Sequence, residues 1–559
     1  MLGFDIARFR KLAFGRTTLP DHPLRDENEV RKMLEGLPGD SLGGLAELTH
    51  WALSINADDS FTQEQRSRVL VELDAASRTL WRSLARQYLA PKGEPAEELD
   101  GDPALLRAML DSAAAFGTGY GFSLELAEPA SPWTERSLAL LALRRARWLG
   151  RRYVLAHMLH LPAIDDIWED LHALYGLAES RDVLRKVLPV YPGDAAISSV
   201  KQEYTRILLT DLAGLESLRG RDIELAFRIA GRVAVNARLD PDPIPGAICA
   251  IELRGSSRPT AVRRLPGSPG TVLYLDAFNC LPRLKAMLER DMDTDLAGTD
   301  AMFGEDYTLR ERNAMLDRLI DQWGPTPPQR RSKRVPFKAA ALLKAGFESC
   351  AEVIPALEQG IAAESPGESR QLQIVLDDAG VHQKAGTIGK ALASARAQLM
   401  DASVGGLGLQ VPRKDARWAV LGMLVAVYVE PGPDWIVGVL RRISAEGEML
   451  GLGVAVLTRQ PKLAWFRLET TGYTSVWEEE KRLDRDFLQH FQRGILTDAD
   501  SAPLGPGEML IAPGIAERGS RLDIPFAQGI QRIRVTASRD VTADFHRVAF
   551  ESLGVRPDK

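Results

Sequence analysis

From about Arg31 to Gly214 the apolar residues recur at spacings of three and four, as in RSLALLALRRARWLGRRYVLAHMLHL, and short Gly, Pro and Asp clusters interrupt them. That pattern predicts stacked helices. Between Ile244 and Phe278, IPGAICAIELRG and TVLYLDAF predict two short strands around a Gly- and Pro-rich loop, after which LPRLKAMLERDM and RNAMLDRLIDQW return to helix. GPTPPQ, Gly324 to Gln329, then breaks the pattern with prolines that favour an extended linker. Beyond it RQLQIVL, RAQLMDAS, VGGLGLQV, GMLVAVYVE, WIVGVLRRI and LGLGVAVL are short, rich in Val, Ile and Leu, and separated by turn residues, the pattern of a small antiparallel barrel. EMLIAPGI, RLDIPF and IQRIRVTA repeat the strand character after EEEKRLDRDFLQHFQRG, a charged stretch predicted as helix.

The predicted fold class is therefore α+β multidomain. A mostly helical region spans 1–323 with a small β insert near 244–278, a Pro-rich linker spans 324–329, a β-barrel spans 330–460 with an insertion at about 354–395, and an accessory β-rich region spans 461–559. In IWEDLHALYGLAE, Trp168, Leu171 and Tyr175 are spaced like the first helix of a tetratricopeptide unit, but no second copy follows at a fixed period. A regular solenoid is not expected.

Length and composition sharpen this outline. A chain of 559 residues exceeds one hydrophobic core, so roughly two to four domains are expected. The longest apolar run, WAVLGMLVAVYV from Trp418 to Val429, has 12 residues, short of the ~20 that cross a bilayer as a helix. The start, MLGFDIARFRKLAFGR, mixes Arg and Lys into its apolar residues and lacks the apolar core of a secretory signal. Cys249, Cys280 and Cys350 are odd in number and widely separated, which suits neither a disulfide framework nor a zinc knuckle. A cytoplasmic location is expected. The net charge of -6 disfavours sequence-independent binding to DNA or RNA.

Against that acidic background QRRSKRVPFK, Gln329 to Lys338, concentrates Arg330, Arg331, Lys333, Arg334 and Lys338. Arg330 and Arg334 fill R-x-x-x-R, and further on DASVGGLGL places Asp401, Ser403 and Gly406 in D-x-S-x-x-G. Those two motifs, in that order and followed by GMLVAVYV, WIVGVLRRIS and LGLGVAVL, resemble the PilZ domain, a family of bacterial receptors for the second messenger cyclic di-GMP, over about residues 329–457. The resemblance implies a PilZ-like barrel with a cyclic di-GMP site at Arg330, Arg331, Arg334, Asp401, Ser403, Gly405 and Gly406. The resemblance does not extend to the helical domain, which is expected to pass the signal to a protein partner across the GPTPPQ hinge. The chemistry suits such a ligand: a guanidinium can fork onto phosphate oxygens, bond the O6/N7 edge of guanine or stack on its face. Asp401 can accept from guanine N–H groups, Ser403 can bond a phosphate or the local backbone, and Gly405 and Gly406 leave room for a turn and a close base. Arg334 and Asp401 are 67 positions apart, wider than the family's usual spacing, so an insertion is required. Its alternative consequence is a degenerate, ligand-free barrel in a helical adaptor protein.

Other stretches carry weaker chemistry. FGTGYGF, Phe116 to Phe122, lacks the Lys-Ser/Thr ending of a phosphate loop and is predicted as a turn between helices. Asp291, Asp293 and Asp295 have calcium-loop spacing, but Leu296 and Met302 stand where that loop needs Gly and Glu. His157 and His160, with Asp165 and Asp166 nearby, are expected as packed side chains rather than metal ligands. GDSLGG and GSSRP lack the nucleophile elbow. Single-stranded nucleic acid would need aromatic platforms, for which Trp418, Tyr428 and Trp435 are the nearby candidates. No catalytic residue, metal or cofactor is expected.

Overall fold

The computed structural model describes residues 21–90, 103–125, 135–161, 165–193, 196–260, 262, 272–293, 306–325, 327–328, 333–357, 394–432, 434–469, 491–497, 504–526 and 529–556. They divide into two compact units, one holding the described residues up to 328 and the other those from 333 onward.

The described residues of the first unit hold α1 (Glu27–Glu35), α2 (Ser41–Ala57), α3 (Gln63–Leu89), α4 (Pro103–Glu125), α5 (Glu135–Met158), α6 (Asp165–Ser180), α7 (Val200–Leu212), α8 (Gly220–Val233), α9 (Leu281–Asp293) and α10 (Leu309–Trp323). Local chemistry starts several of them. Asp26, Asp40 and Ser199 accept backbone N–H groups at the starts of α1, α2 and α7, and Thr62/Gln65 and Thr308/Glu311 form reciprocal capping boxes on α3 and α10. One core joins these helices; Trp148 stacks on Phe116 at 5.0 Å and meets Trp81 edge-on at 5.4 Å. Trp168, Leu171 and Tyr175 of α6 are all buried in it. Within this core lies an ion pair, Arg144 to Asp74 at 3.2 Å, with side chains 1% and 0% exposed. Asp74 also accepts from Tyr120 (2.7 Å) and Tyr191 (2.9 Å), and Arg144 donates to Val190 O at 3.1 Å, so the buried charges are surrounded by partners.

FGTGYGF is not a turn between helices but the middle of α4. Its glycines permit close packing: a Cβ at Gly119 would lie 2.6 Å from Asn56 Oδ1, and one at Gly121 would lie 3.1 Å from the Arg145 guanidinium carbon. Asp291 and Asp293 fall within α9, and Asp295 lies outside the described residues. The two-residue strands β1 (Leu188–Pro189) and β2 (Ile197–Ser198) form a small ribbon. Both strands expected near 244–278 are present, β4 (Cys249–Glu252) and β5 (Val272–Asp276), and β3 (Arg238–Asp240) joins them in the antiparallel order β3-β5-β4.

The second unit contains two closed barrels, each of six antiparallel strands. The first is built from β6 (Val335–Ala345), β7 (Ser394–Ser403), β8 (Gly406–Pro412), β9 (Leu424–Val429), β10 (Trp435–Glu446) and β11 (Met449–Thr458), in the order β10-β11-β8-β7-β6-β9. Leu343, Leu407, Leu409, Val425, Val427, Ile443 and Leu452 fill its interior. Helix α11 (Phe347–Val353) follows β6; RQLQIVL and most of the insertion expected at 354–395 lie outside the described residues.

The expected accessory β region is a complete second barrel: β12 (Lys462–Leu468), β13 (Gln492–Leu496), β14 (Gly507–Ile511), β15 (Arg521–Phe526), β16 (Gly529–Val541) and β17 (His546–Arg556), in the order β12-β13-β14-β17-β16-β15. Of the stretch expected as helix, residues 478–490 lie outside the described residues and Gln492–Gly494 are strand. The outer side of β9 and β10 is covered as well. Leu424, Ala426, Val437 and Val439 pack with Phe347, Cys350 and Ile354 of the α11 segment and with Leu463, Ile495, Leu510 and Phe545 of the second barrel. Burial on both faces is why the run around β9 reads as continuously apolar.

Candidate functional site

Arg334 immediately precedes β6, whose Pro336 stands opposite Asp401 on β7. The Arg334 guanidinium donates from Nη1 to Asp401 Oδ1 at 2.7 Å, with the two side chains 26% and 32% exposed. The structure thus brings together the two motif halves. Asp401 pairs in turn with Gly408 on β8, after a register shift between Leu399 and Asp401. Its carboxylate lies over Gly408: a Cβ there would be 2.6 Å from Oδ1.

Ser403 and Gly406 face each other across a two-residue turn made by Val404 and Gly405. Ser403 Oγ donates to Gly406 O at 3.3 Å, so of its two expected roles the local backbone bond is the one present. A Cβ at Gly406 would meet Val454 O at 3.2 Å and Arg334 Nη2 at 3.7 Å, whereas one at Gly405 would meet nothing within 4 Å. Neither glycine has a left-handed backbone, so the turn uses their small size rather than their conformational freedom. Lys333 and Lys338 are exposed nearby; Arg330 and Arg331 lie outside the described residues. Exposed apolar side chains flank the pair, with Val404 85%, Val335 63% and Phe337 52% exposed.

One contributor escaped the sequence. Arg459, just after β11, donates from Nη2 to the carbonyl oxygens of Ser403 (2.9 Å) and Val404 (3.2 Å). An isolated arginine after a strand carries no motif, and only the pairing of β11 with β8 brings it to this turn. The assembled groups are a guanidinium, a carboxylate, a hydroxyl and an exposed turn, which suit recognition of a small polar ligand having both anionic and N–H donor groups.

The first unit holds a second polar cluster. Arg258, in the connection between β4 and β5, reaches His157 Nε2 (2.7 Å), Tyr153 Oη (3.3 Å) and Asp211 (3.4 Å). His157 Nδ1 lies 3.0 Å from Tyr153 O, so both ring nitrogens meet protein groups. Burial, aided by the Arg258 charge, lowers the His157 pKa to about 3. Among the described residues no group of three His, Cys, Asp or Glu side chains is arranged to hold a metal ion, and no helix is long and apolar enough to cross a membrane. The three cysteines are free and buried, and burial raises the Cys280 thiol to about 12.

No curated protein matches the chain. Residues 28–243 match the family model described as the N-terminal domain of the cyclic-di-GMP receptor FimW, a match that leaves both barrels uncovered. That match takes in α1 from its second residue through α8, so this helical part of the chain is similar to the N-terminal domain of a cyclic-di-GMP receptor.

Proposed function

We propose that the chain is a cytoplasmic bacterial receptor that binds cyclic di-GMP on its first barrel, taken as PilZ-like, and transmits the signal through its helical unit to a protein partner. Arg334, Asp401, Ser403, Gly405 and Gly406 form the site, completed by Arg330 and Arg331. The reading requires no metal, cofactor or catalytic residue, and its ligand is a small nucleotide rather than DNA or RNA.

The observation that carries this reading is the contact of Arg334 with Asp401 at 2.7 Å across 67 positions of sequence. Its independent support comes from elsewhere in the chain, since the family match covers 28–243 and no part of the motif-bearing barrel. In this arrangement the two charges satisfy each other. A nucleotide offers replacement partners for both: phosphate or a guanine edge for Arg334, and guanine N–H donors for Asp401. Exposure of the pair keeps the desolvation needed for that exchange small.

Isothermal titration of the full chain with cyclic di-GMP tests it, beside Arg334→Ala and Asp401→Ala proteins of unchanged circular dichroism. Micromolar or tighter binding by the parent, weakened at least about tenfold in each variant, is expected. No binding by the folded parent would leave the adaptor reading, in which the barrel holds no nucleotide.

A further inference from the structure

We propose that Arg459 is a positioning residue of the nucleotide site, turning the backbone N–H groups of Val404 and Gly405 outward as donors for a phosphate of the ligand. The inference rests on the receptor reading above.

Its basis is the hydrogen bonding of the turn. Arg459 Nη2 holds the carbonyls of Ser403 and Val404 at 2.9 and 3.2 Å, and the N–H of Val456 on β11 holds that of Gly405 at 3.1 Å. Three successive carbonyl oxygens are therefore drawn to one side by β11 and the residue that follows it. The peptide bonds in this turn are trans, which directs each N–H opposite to the carbonyl of its own peptide unit. With Ser403 O and Val404 O held toward Arg459, the N–H groups of Val404 and Gly405 face away from it. Both residues are exposed, so these donors are open to a ligand. Successive outward N–H groups in a turn form a concavity that favours anions, and here it adjoins Arg334 and Ser403.

Arg459 acts through this geometry rather than by touching the ligand. Charge-assisted bonds to two adjacent carbonyls limit rocking of the peptide planes, so the donors are oriented before the phosphate arrives. The same residue lies in the short connector from β11 to β12, which ties the order of this turn to the start of the second barrel.

The test is titration of cyclic di-GMP into the full chain and into Arg459→Ala, Arg459→Gln and Arg459→Lys, with thermal melts of each. Loss of two bonds to the turn is expected to weaken binding roughly tenfold in Arg459→Ala with little change in melting temperature. Lysine and glutamine, which both keep N–H donors for the carbonyls, are expected to recover part of the affinity, lysine the more because its bonds remain charge-assisted. Parent-like affinity in Arg459→Ala overturns the inference and leaves the receptor reading standing. No binding by the parent removes the receptor reading and this inference together. In ligand-free protein, amide resonances of Val404 and Gly405 that stay unmoved in Arg459→Ala would likewise count against it.

Discussion

The carboxylate of Asp544, in the turn between β16 and β17, accepts the backbone N–H of Leu424 at 2.8 Å, joining the second barrel to the first strand residue of β9. Its other oxygen accepts the N–H of Phe347 at 3.0 Å, at the start of α11. One side chain thus closes two otherwise open backbone donors at the seam between the barrels.

Removing it leaves two buried N–H groups without acceptors, so Asp544→Ala is expected to lower stability of the second unit by roughly 2–4 kcal/mol in urea unfolding. Burial raises the Asp544 pKa, outweighing the two N–H donors that favour the ionised form. A raised folded-state pKa means that this group's stabilisation is complete below the unfolded value, near ~3.9, and is lost as pH rises through the folded value. The pH profile of the parent relative to Asp544→Asn should therefore fall across that window; a difference that rises there would refute the assignment.

His157 gives the opposite sign. Its pKa, lowered to about 3, makes the folded state the poorer proton binder, so the stabilisation is present above the unfolded value of ~6.5 and declines as pH falls from there toward 3. The slope is expected to approach ~1.4 kcal/mol per pH unit for this one proton. Imidazole NMR signals that stay neutral at pH 5 would agree; a midpoint near 6.5 would show that Arg258 and burial do not govern the ring.

The buried Asp74–Arg144 pair predicts an asymmetric response to mutation. Arg144→Met leaves the Asp74 carboxylate with its tyrosine donors but no countercharge, and a loss of roughly 3–5 kcal/mol is expected. Tyr191→Phe removes one donor to Asp74 and should cost about 1 kcal/mol. Comparable melting temperatures for the two variants would mean that the charge is already neutralised by other means.

At the candidate site, Gly408→Ala separates fold from recognition. The new methyl would meet Asp401 Oδ1 at 2.6 Å and its Cγ at 2.8 Å, displacing the carboxylate from Arg334. Cyclic di-GMP affinity is expected to fall roughly tenfold, while Gly505→Ala, outside the site and with open space around it, stays near the parent. Equal affinities for the two variants would detach Asp401 from ligand binding.

Residue patterns made much of this architecture legible. Period-three and period-four spacing marked the helices of the first unit, and Val- and Leu-rich runs marked β7 to β11 because their inward faces fill a small interior. VPFKAAALLKA was missed as strand β6, since alanine and lysine favour helix when read alone; pairing with β7 and β9 overrides that preference. KLAWFRL and HRVAFESLGVR were missed too, and with them the closure of the second barrel, whose pairings join segments distant in sequence. The glycines of FGTGYGF read as a turn because glycine disfavours helix, yet neighbouring helices approach too closely there for a side chain. Asp401, Ser403 and Arg334 were legible as motif letters. Gly408 and Arg459 were not, because their parts depend on which strands become neighbours.

The double burial of β9 and β10 also sets an order of events during synthesis. Leu424, Ala426, Val437 and Val439 emerge from the ribosome well before Leu463, Ile495, Leu510 and Phe545, which cover them. Until the β16–β17 turn has been made, the nascent first barrel presents a wet apolar wall and an uncapped α11, the kind of surface that chaperones engage. The second barrel is in this sense a built-in escort: its late arrival covers the outer wall of the first.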